Sequence, residues 1–258
     1  MKNRHQWSKI AAGGLIAAYL LLTGCLFLMH HSLKATKNSV TEAASWVSGR
    51  DEGMTNADSE TGADCLEGSG GSMPDKKIAL TFDDGPHPVY TPELLDGLKE
   101  RGIKATFFLM GSEVENYPDV VKRMANEGHL IGNHTFHHVS LENADENMIR
   151  TEVISANELI EEVTGQYPQF IRPPFGQCSE RIESQTGMIC VLWNIDPLDW
   201  CTPDASEIVQ RVVSNARDHA IILLHDQYKT SVMAAFTIID ELQKEGYEFV
   251  TVDEILLD

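Results

Sequence analysis

IALTFDDGPHP, Ile78 to Pro88, decides how the rest of the chain reads. Its first residues form a short apolar run of strand length, and Gly85-Pro86 breaks that strand with a turn. Two carboxylates, Asp83 and Asp84, therefore stand side by side where a strand leaves the core. Like charges this close repel, so one of them calls for a cation.

Downstream of this stretch, short apolar runs alternate with longer amphipathic ones. Residues 78–82, 105–109, 130–133, 170–172, 189–194, 220–225 and 249–251 read as strands. Helices are expected between them, from a cap at Thr91 to Arg101, and over 118–126, 144–163, 206–216 and 231–244. Parallel strands need helical crossovers, so this alternation points to an α/β domain with a parallel sheet. The expected architecture is an irregular β/α barrel of about seven parallel strands, with a doubly wound open sheet as the alternative. Both place ligands at the C-terminal ends of the strands.

Upstream the chain changes character. Residues 1–9 carry Lys2, Arg4 and Lys9, and residues 10–29 contain no charged side chain. Crossing the hydrocarbon takes about 20 apolar residues as a helix, so 10–29 reads as a transmembrane anchor. The flanking positive charges place residues 1–9 in the cytoplasm and the rest outside. Leu22 to Cys25, LTGC, resembles the lipobox of bacterial lipoproteins, which makes a lipid anchor at Cys25 the alternative. The apolar residues 26–29 beyond it favour the uncleaved helix. Residues 30–75 are polar and Gly/Ser-rich and read as a flexible linker, leaving 76–258 as the folded domain.

The 258 residues carry a formal charge of −19, which speaks against nucleic acid as a partner. None of the five cysteines forms a C-x-x-C pair, so a cysteine zinc site is not expected. Free, partly buried thiols are the preferred reading. A Cys178–Cys201 bridge is conceivable outside the cytoplasm.

Polar residues gather at the expected strand ends. The first strand offers Asp83 and Asp84. The third runs into His134, His137 and His138, and the fourth into Arg172. The fifth leads to Asp196, Asp199 and Trp200, and the sixth to His225 and Asp226. His134 and His138 have the H-x-x-x-H spacing of two metal ligands, and Asp84 can be the third, leaving coordination positions open for water. Asp83 is then free to act as a general base. Taken singly, each of these is more often a solvated turn, a core histidine or a surface ion pair. Their common placement is what points to a site.

Together these residues resemble the NodB-homology polysaccharide deacetylases, carbohydrate esterase family 4. The matching stretches are TFDDGP (Thr81 to Pro86), HTFHH (His134 to His138), RPPFG (Arg172 to Gly176), DPLDW (Asp196 to Trp200) and LLH (Leu223 to His225). The resemblance covers the expected folded domain and neither anchor nor linker. It implies Asp83 as catalytic base, oriented by Arg172, and a divalent metal, most often zinc, on Asp84, His134 and His138. It implies His225 as the general acid, tuned by Asp199. It also implies an apolar wall of Trp200 and Leu223 for the acetyl methyl group. Phe175 stands where the family usually has tyrosine, and its backbone N–H is the expected oxyanion donor.

The implied function is removal of N-acetyl groups from amino sugars of a surface polysaccharide, with peptidoglycan N-acetylglucosamine as substrate. The second aspartate of FDDGP resembles the glucosamine-type enzymes, since muramic-acid types often have asparagine there. A non-catalytic glycan-binding relative is one alternative, and it would lack a ligand or the base; neither is missing. An acetyl xylan esterase or a small-amide hydrolase on the same scaffold is the other.

Overall fold

The structure is a computed structural model that describes residues 76–257. The expected anchor at 10–29, the candidate lipid site Cys25 and the linker at 30–75 lie outside the described residues. Among the described residues, no helix is long and apolar enough to cross a membrane.

Seven parallel strands form one sheet: β1 (Lys76–Asp83), β2 (Thr106–Leu109), β3 (Leu130–Asn133), β4 (Phe170–Ile171), β5 (Ile189–Cys190), β6 (Ala220–His225) and β7 (Tyr247–Val250). Their order is β5-β4-β3-β2-β1-β6, with β7 also on β1. β1 is central. One edge pairs with β6 from Ile78 to Asp83, and the other pairs with β7 at its start and β2 at its end. The sheet curls, because the chain beyond β5 returns to β6, where Ile195 bridges Ile222 and the Leu223 N–H donates to the Ile195 carbonyl at 2.9 Å. An open doubly wound sheet is thereby ruled out.

The side-chain alternation of a strand then sorts residues into two layers. Ile78, Leu80 and Phe82 of β1, with Ala220, Ile222 and Leu224 of β6, face the helices in the main core. There they meet Leu94, Leu95 and Leu98 of α1 (Tyr90–Glu100), Val121 and Met124 of α3 (Pro118–Asn126), and Ile208 and Val212 of α7 (Ala205–Val213). α8 (Lys229–Lys244) adds Ala235, Ile238 and Ile239. Residues of the other parity line the inside of the curl. Ala79 and Ile221 pack there with Phe108, Phe170 and Val191. Thr81 and Asp83 continue that row on β1, and Leu223 and His225 continue it on β6. The row that starts as a small apolar plug therefore ends as the site.

Several elements differ from the sequence reading. The expected strand 189–194 shortens to two residues because its apolar run serves two neighbours. The Val191 N–H still bonds the Ile171 carbonyl, but Asn194 and Ile195 donate to Ile221 of β6. Thr91 does not cap α1. Val89 holds the cap position, and the buried Thr91 hydroxyl binds Asp226 instead. The long helix expected at 144–163 is α4 (Glu146–Ile149), a π turn at Arg150–Ile154 and α5 (Ser155–Thr164). The short helices α2 (Gly111–Asn116), α6 (Glu180–Thr186) and α9 (Val252–Leu256) span too few turns for apolar periodicity to reveal them.

Phe107 of β2 is fully buried, stacked on Phe82 at 5.3 Å and edge-on to His129 at 5.4 Å. Phe107→Ala should lower the unfolding free energy by about 3–5 kcal/mol in denaturant titration, from lost transfer energy plus the cavity left behind.

Candidate active site

The site stands at the C-terminal edge of the curled sheet, where five stretches of chain converge. Asp83 closes β1. The β1–β6 register sets it directly opposite His225, and the β1–β2 register sets it opposite Phe108. Two residues that the sequence separates by most of the domain are thus adjacent because both end their strands at the same level.

Asp83 is 3% exposed and would be a costly buried charge on its own. Arg172, fully buried at the end of β4, answers it with an Nη1 donor 2.7 Å from Asp83 Oδ1. The rest of the guanidinium is satisfied as well. Nη1 also donates to Thr81 Oγ1 at 2.7 Å, Nε to the Val191 carbonyl at 3.1 Å, and Nη2 to the Leu192 carbonyl at 3.3 Å. Its plane lies over the Phe108 ring at 4.2 Å. Thr81 in turn donates to the Ile222 carbonyl at 2.6 Å, which ties the arrangement to β6. Thr81 has no chemical signature of its own in the sequence. Its signal is the strand period, which puts it on the same face as Asp83.

Asp84, next along, has φ 70° and turns its carboxylate away from Arg172 toward the histidines. Its Oδ1 lies 3.2 Å from His134 Nε2 and 3.4 Å from His138 Nε2. The three ligand atoms lie within 4.8 Å of one another. The proton inventory shows what this set accepts. The Arg172 carbonyl sits 2.5 Å from His134 Nδ1, and a carbonyl can only accept, so the His134 proton is on Nδ1. His134 Nε2 therefore presents a lone pair to Asp84 Oδ1, a buried oxygen that accepts no hydrogen bond. Lone pairs converge there without a proton between them, and a cation fits the gap.

Burial opposes the Asp84 charge; protons on His134, His225 and His138 would outweigh it and hold the carboxyl below its usual range, so the pocket favours a positive charge beside Asp84, whether proton or cation. Burial also keeps the His138 imidazole below its ordinary value, favouring the neutral form that ligates metal.

Across the cleft, Asp199 grips His225 twice. Its Oδ1 accepts from Nδ1 at 2.8 Å and its Oδ2 from the backbone N–H at 2.8 Å. This leaves Nε2 as the nitrogen available to the cleft. Burial alone would lower the pKa of His225, yet Asp199, Asp83 and Asp84 push it up to about 9. At neutral pH it carries its proton.

The remaining expected residues sort by depth. Phe175 has φ 62°, is 66% exposed and meets His138 edge-on at 5.0 Å. Trp200 is 43% exposed on the same short turn that buries Asp199. Leu223 is buried one inward-facing position below His225 on β6. His137 is exposed and lies outside the ligand set. Asp196 is exposed and caps the Leu198 N–H at 2.8 Å. Asp226 is buried beneath Gly85, where an added Cβ would stand 2.5 Å from its carboxylate. That close approach is the reason for glycine after Asp84. The Cys178 thiol meets Cys190, and no Cys178–Cys201 bridge is formed.

A cation site at the open edge of a curled parallel sheet, flanked by a held carboxylate and a protonated histidine, is the layout of a metal-dependent hydrolase. The chain belongs to the polysaccharide deacetylase family, whose model matches residues 70–189. A peptidoglycan-N-acetylglucosamine deacetylase of Bacillus cereus is 40% identical over 190 residues, covering 70% of this chain and 89% of the relative. The peptidoglycan-N-acetylglucosamine deacetylase PgdA of Listeria monocytogenes is 38% identical over 180 residues, covering 70% of this chain. The match spans only 39% of that relative's length. Among solved structures, peptidoglycan deacetylase PdaC from Bacillus subtilis matches with a TM-score of 0.69 at 40% identity, covering 71% of this chain and 91% of that one.

The Arg172–Asp83 pair yields a stability test. Arg172→Met strands a buried carboxylate and should destabilise the fold by about 3–5 kcal/mol. Adding Asp83→Asn should recover part of that loss, and the coupling is read from a double-mutant cycle in denaturant.

Proposed function

We propose that the protein is a metal-dependent deacetylase of N-acetylated amino sugars, with the N-acetylglucosamine of peptidoglycan as substrate. The carrying observation is that Asp83, held by Arg172, and His225, held by Asp199, face each other in register beside the Asp84–His134–His138 set. The family match and the peptidoglycan deacetylases among its relatives support the substrate class.

Amide hydrolysis needs a base for water, stabilisation of the oxyanion and a proton for the departing amine. Asp84, His134 and His138 would hold the cation, zinc on the family resemblance, which supplies Lewis acidity to the carbonyl and acidifies water. Asp83 takes the proton of the attacking water. Arg172 fixes one Asp83 oxygen and so aims the other into the cleft. The backbone N–H of Phe175 serves as an oxyanion donor. As the C–N bond breaks, His225 passes its Nε2 proton to the amine nitrogen, leaving acetate and the free amino sugar. Asp199 keeps that proton available and fixes the ring. Trp200 at the rim, with Leu223 beneath, offers the apolar wall for the acetyl methyl group.

The chain's upstream segment suits this substrate. We read residues 10–29 as a membrane anchor with the domain outside, or a lipid anchor at Cys25, and 30–75 as the tether that lets residues 76–258 reach the wall. Protease treatment of intact cells should remove the domain without lysis; protection would reverse this orientation.

Acetate release by the full-length chain from purified peptidoglycan and N-acetylglucosamine oligomers tests the activity. Release should need a divalent metal, stop with a chelator, and fall about 10²–10⁴-fold in Asp83→Asn. No release from either glycan by the zinc-bound protein would overturn the proposal.

The pH profile tests the acid. Activity requires protonated His225, so it should decline as pH rises through about 9. Asp199→Asn removes the strongest influence raising that pKa, so the alkaline limb of kcat/KM should move to lower pH. An unmoved limb would remove His225 from the role.

A further inference from the structure

We propose that Glu152 is a positioning residue for the metal site, acting through the backbone of the loop that joins the two histidine ligands. The proposal rests on the metal reading above. Glu152 carries no signal in the sequence, since it sits in a helical stretch among other acidic residues.

The loop between His134 and His138 holds an unusual shape. Thr135 has φ 65° and His138 has φ 55°, both in the left-handed region that non-glycine residues rarely adopt. Such conformations persist only where the surroundings over-determine them. Here every intervening residue is pinned. On one side, helix α2 takes the carbonyls: Gly111 N–H donates to Thr135 O at 2.9 Å and Ser112 N–H to Phe136 O at 3.0 Å. On the other, side chains take the N–H groups. Asn133 Oδ1 accepts from Thr135 N–H at 2.7 Å. Glu152 Oε2 accepts from both Phe136 N–H, at 3.1 Å, and His137 N–H, at 2.8 Å. Glu152 Oε1 accepts from His137 Nδ1 at 3.0 Å.

Glu152 reaches this place because of the π turn at Arg150–Ile154. A π turn adds a residue to the helical repeat and re-aims the side chains around it. Glu152 is buried, and its neighbour Val153 gives its carbonyl to Asn133 Nδ2 at 2.9 Å. Asn133 also donates to Asn157 Oδ1 at 2.7 Å. The turn thus supplies both anchors of the loop, one directly through Glu152 and one through Asn133. A helical glutamate facing solvent would do neither. One carboxylate holding three donors within five residues of chain sets the spacing of His134 and His138 before a cation arrives.

Zinc affinity of the full-length chain, by competition with a chromophoric chelator, tests this. Amide hydrogen exchange at Phe136 and His137 in the zinc-free protein gives a readout independent of the metal. Glu152→Ala should weaken zinc binding about 10–100-fold, the range seen when partners behind metal ligands are removed, and should speed exchange at both amides. Glu152→Gln, whose carboxamide oxygen still accepts, should lose severalfold. His137→Ala keeps both backbone bonds and should bind zinc as the parent does. Folded Glu152→Ala with parental zinc affinity would overturn the proposal. If Glu152→Ala does not fold, parental affinity in Glu152→Gln would overturn it. Failure of the parent chain itself to bind zinc would instead sink the metal reading, and this one with it.

Discussion

A guanidinium with no access to water must keep a carboxylate beside it, and Arg172 keeps Asp83. Breaking such a pair from one side costs about 3–5 kcal/mol, a large share of what a domain of this size has in hand. The pair joins β4 to β1 across the inside of the curl. Thr81 joins the same guanidinium to β6, and the Val191 and Leu192 carbonyls join it to the chain leaving β5. One side chain therefore ties together both ends of the sheet. The Arg172 carbonyl also sets the tautomer of His134. Structural support and site electrostatics are not separable at this residue.

A second constraint is local. Of the six non-glycine residues with positive φ among those described, Asp84, Thr135, His138, Phe175 and Leu198 all stand in the loops around the cleft. Only His219 lies elsewhere. Strain of this kind collects where side chains must point in directions that relaxed backbone does not offer. Asp84 uses it to turn away from Asp83, which lets two adjacent aspartates face different partners. The surrounding packing holds these conformations, down to Gly85, whose missing Cβ leaves room for Asp226.

Much of the fold was legible in the chain. Alternating short and long apolar runs marked parallel strands with helical crossovers, and most strands fall within a few residues of their expected places. The short helices were not legible, because two turns carry too little periodicity. The fifth strand is shorter than its apolar run because that run serves two partners. Thr91 looked like a helix cap since its residue type and place fit one, yet a buried carboxylate from the far end of the domain claims its hydroxyl.

By itself, the sequence determined the residue types of the site and their level, since a side chain at the end of a parallel strand comes to the same edge as its neighbours. Asp83, Asp84, His134, Arg172 and His225 follow from that rule, whereas His138 and Asp199 stand in loops beyond their strands and are marked by spacing and by the family resemblance. Only the tertiary structure decided which of them touch. Register set Asp83 against His225, the Arg172 carbonyl fixed the proton on His134, and the π turn brought Glu152 under the histidine loop. Those are contacts between segments far apart in the chain, and pairwise geometry of that kind exists only once the sheet has curled.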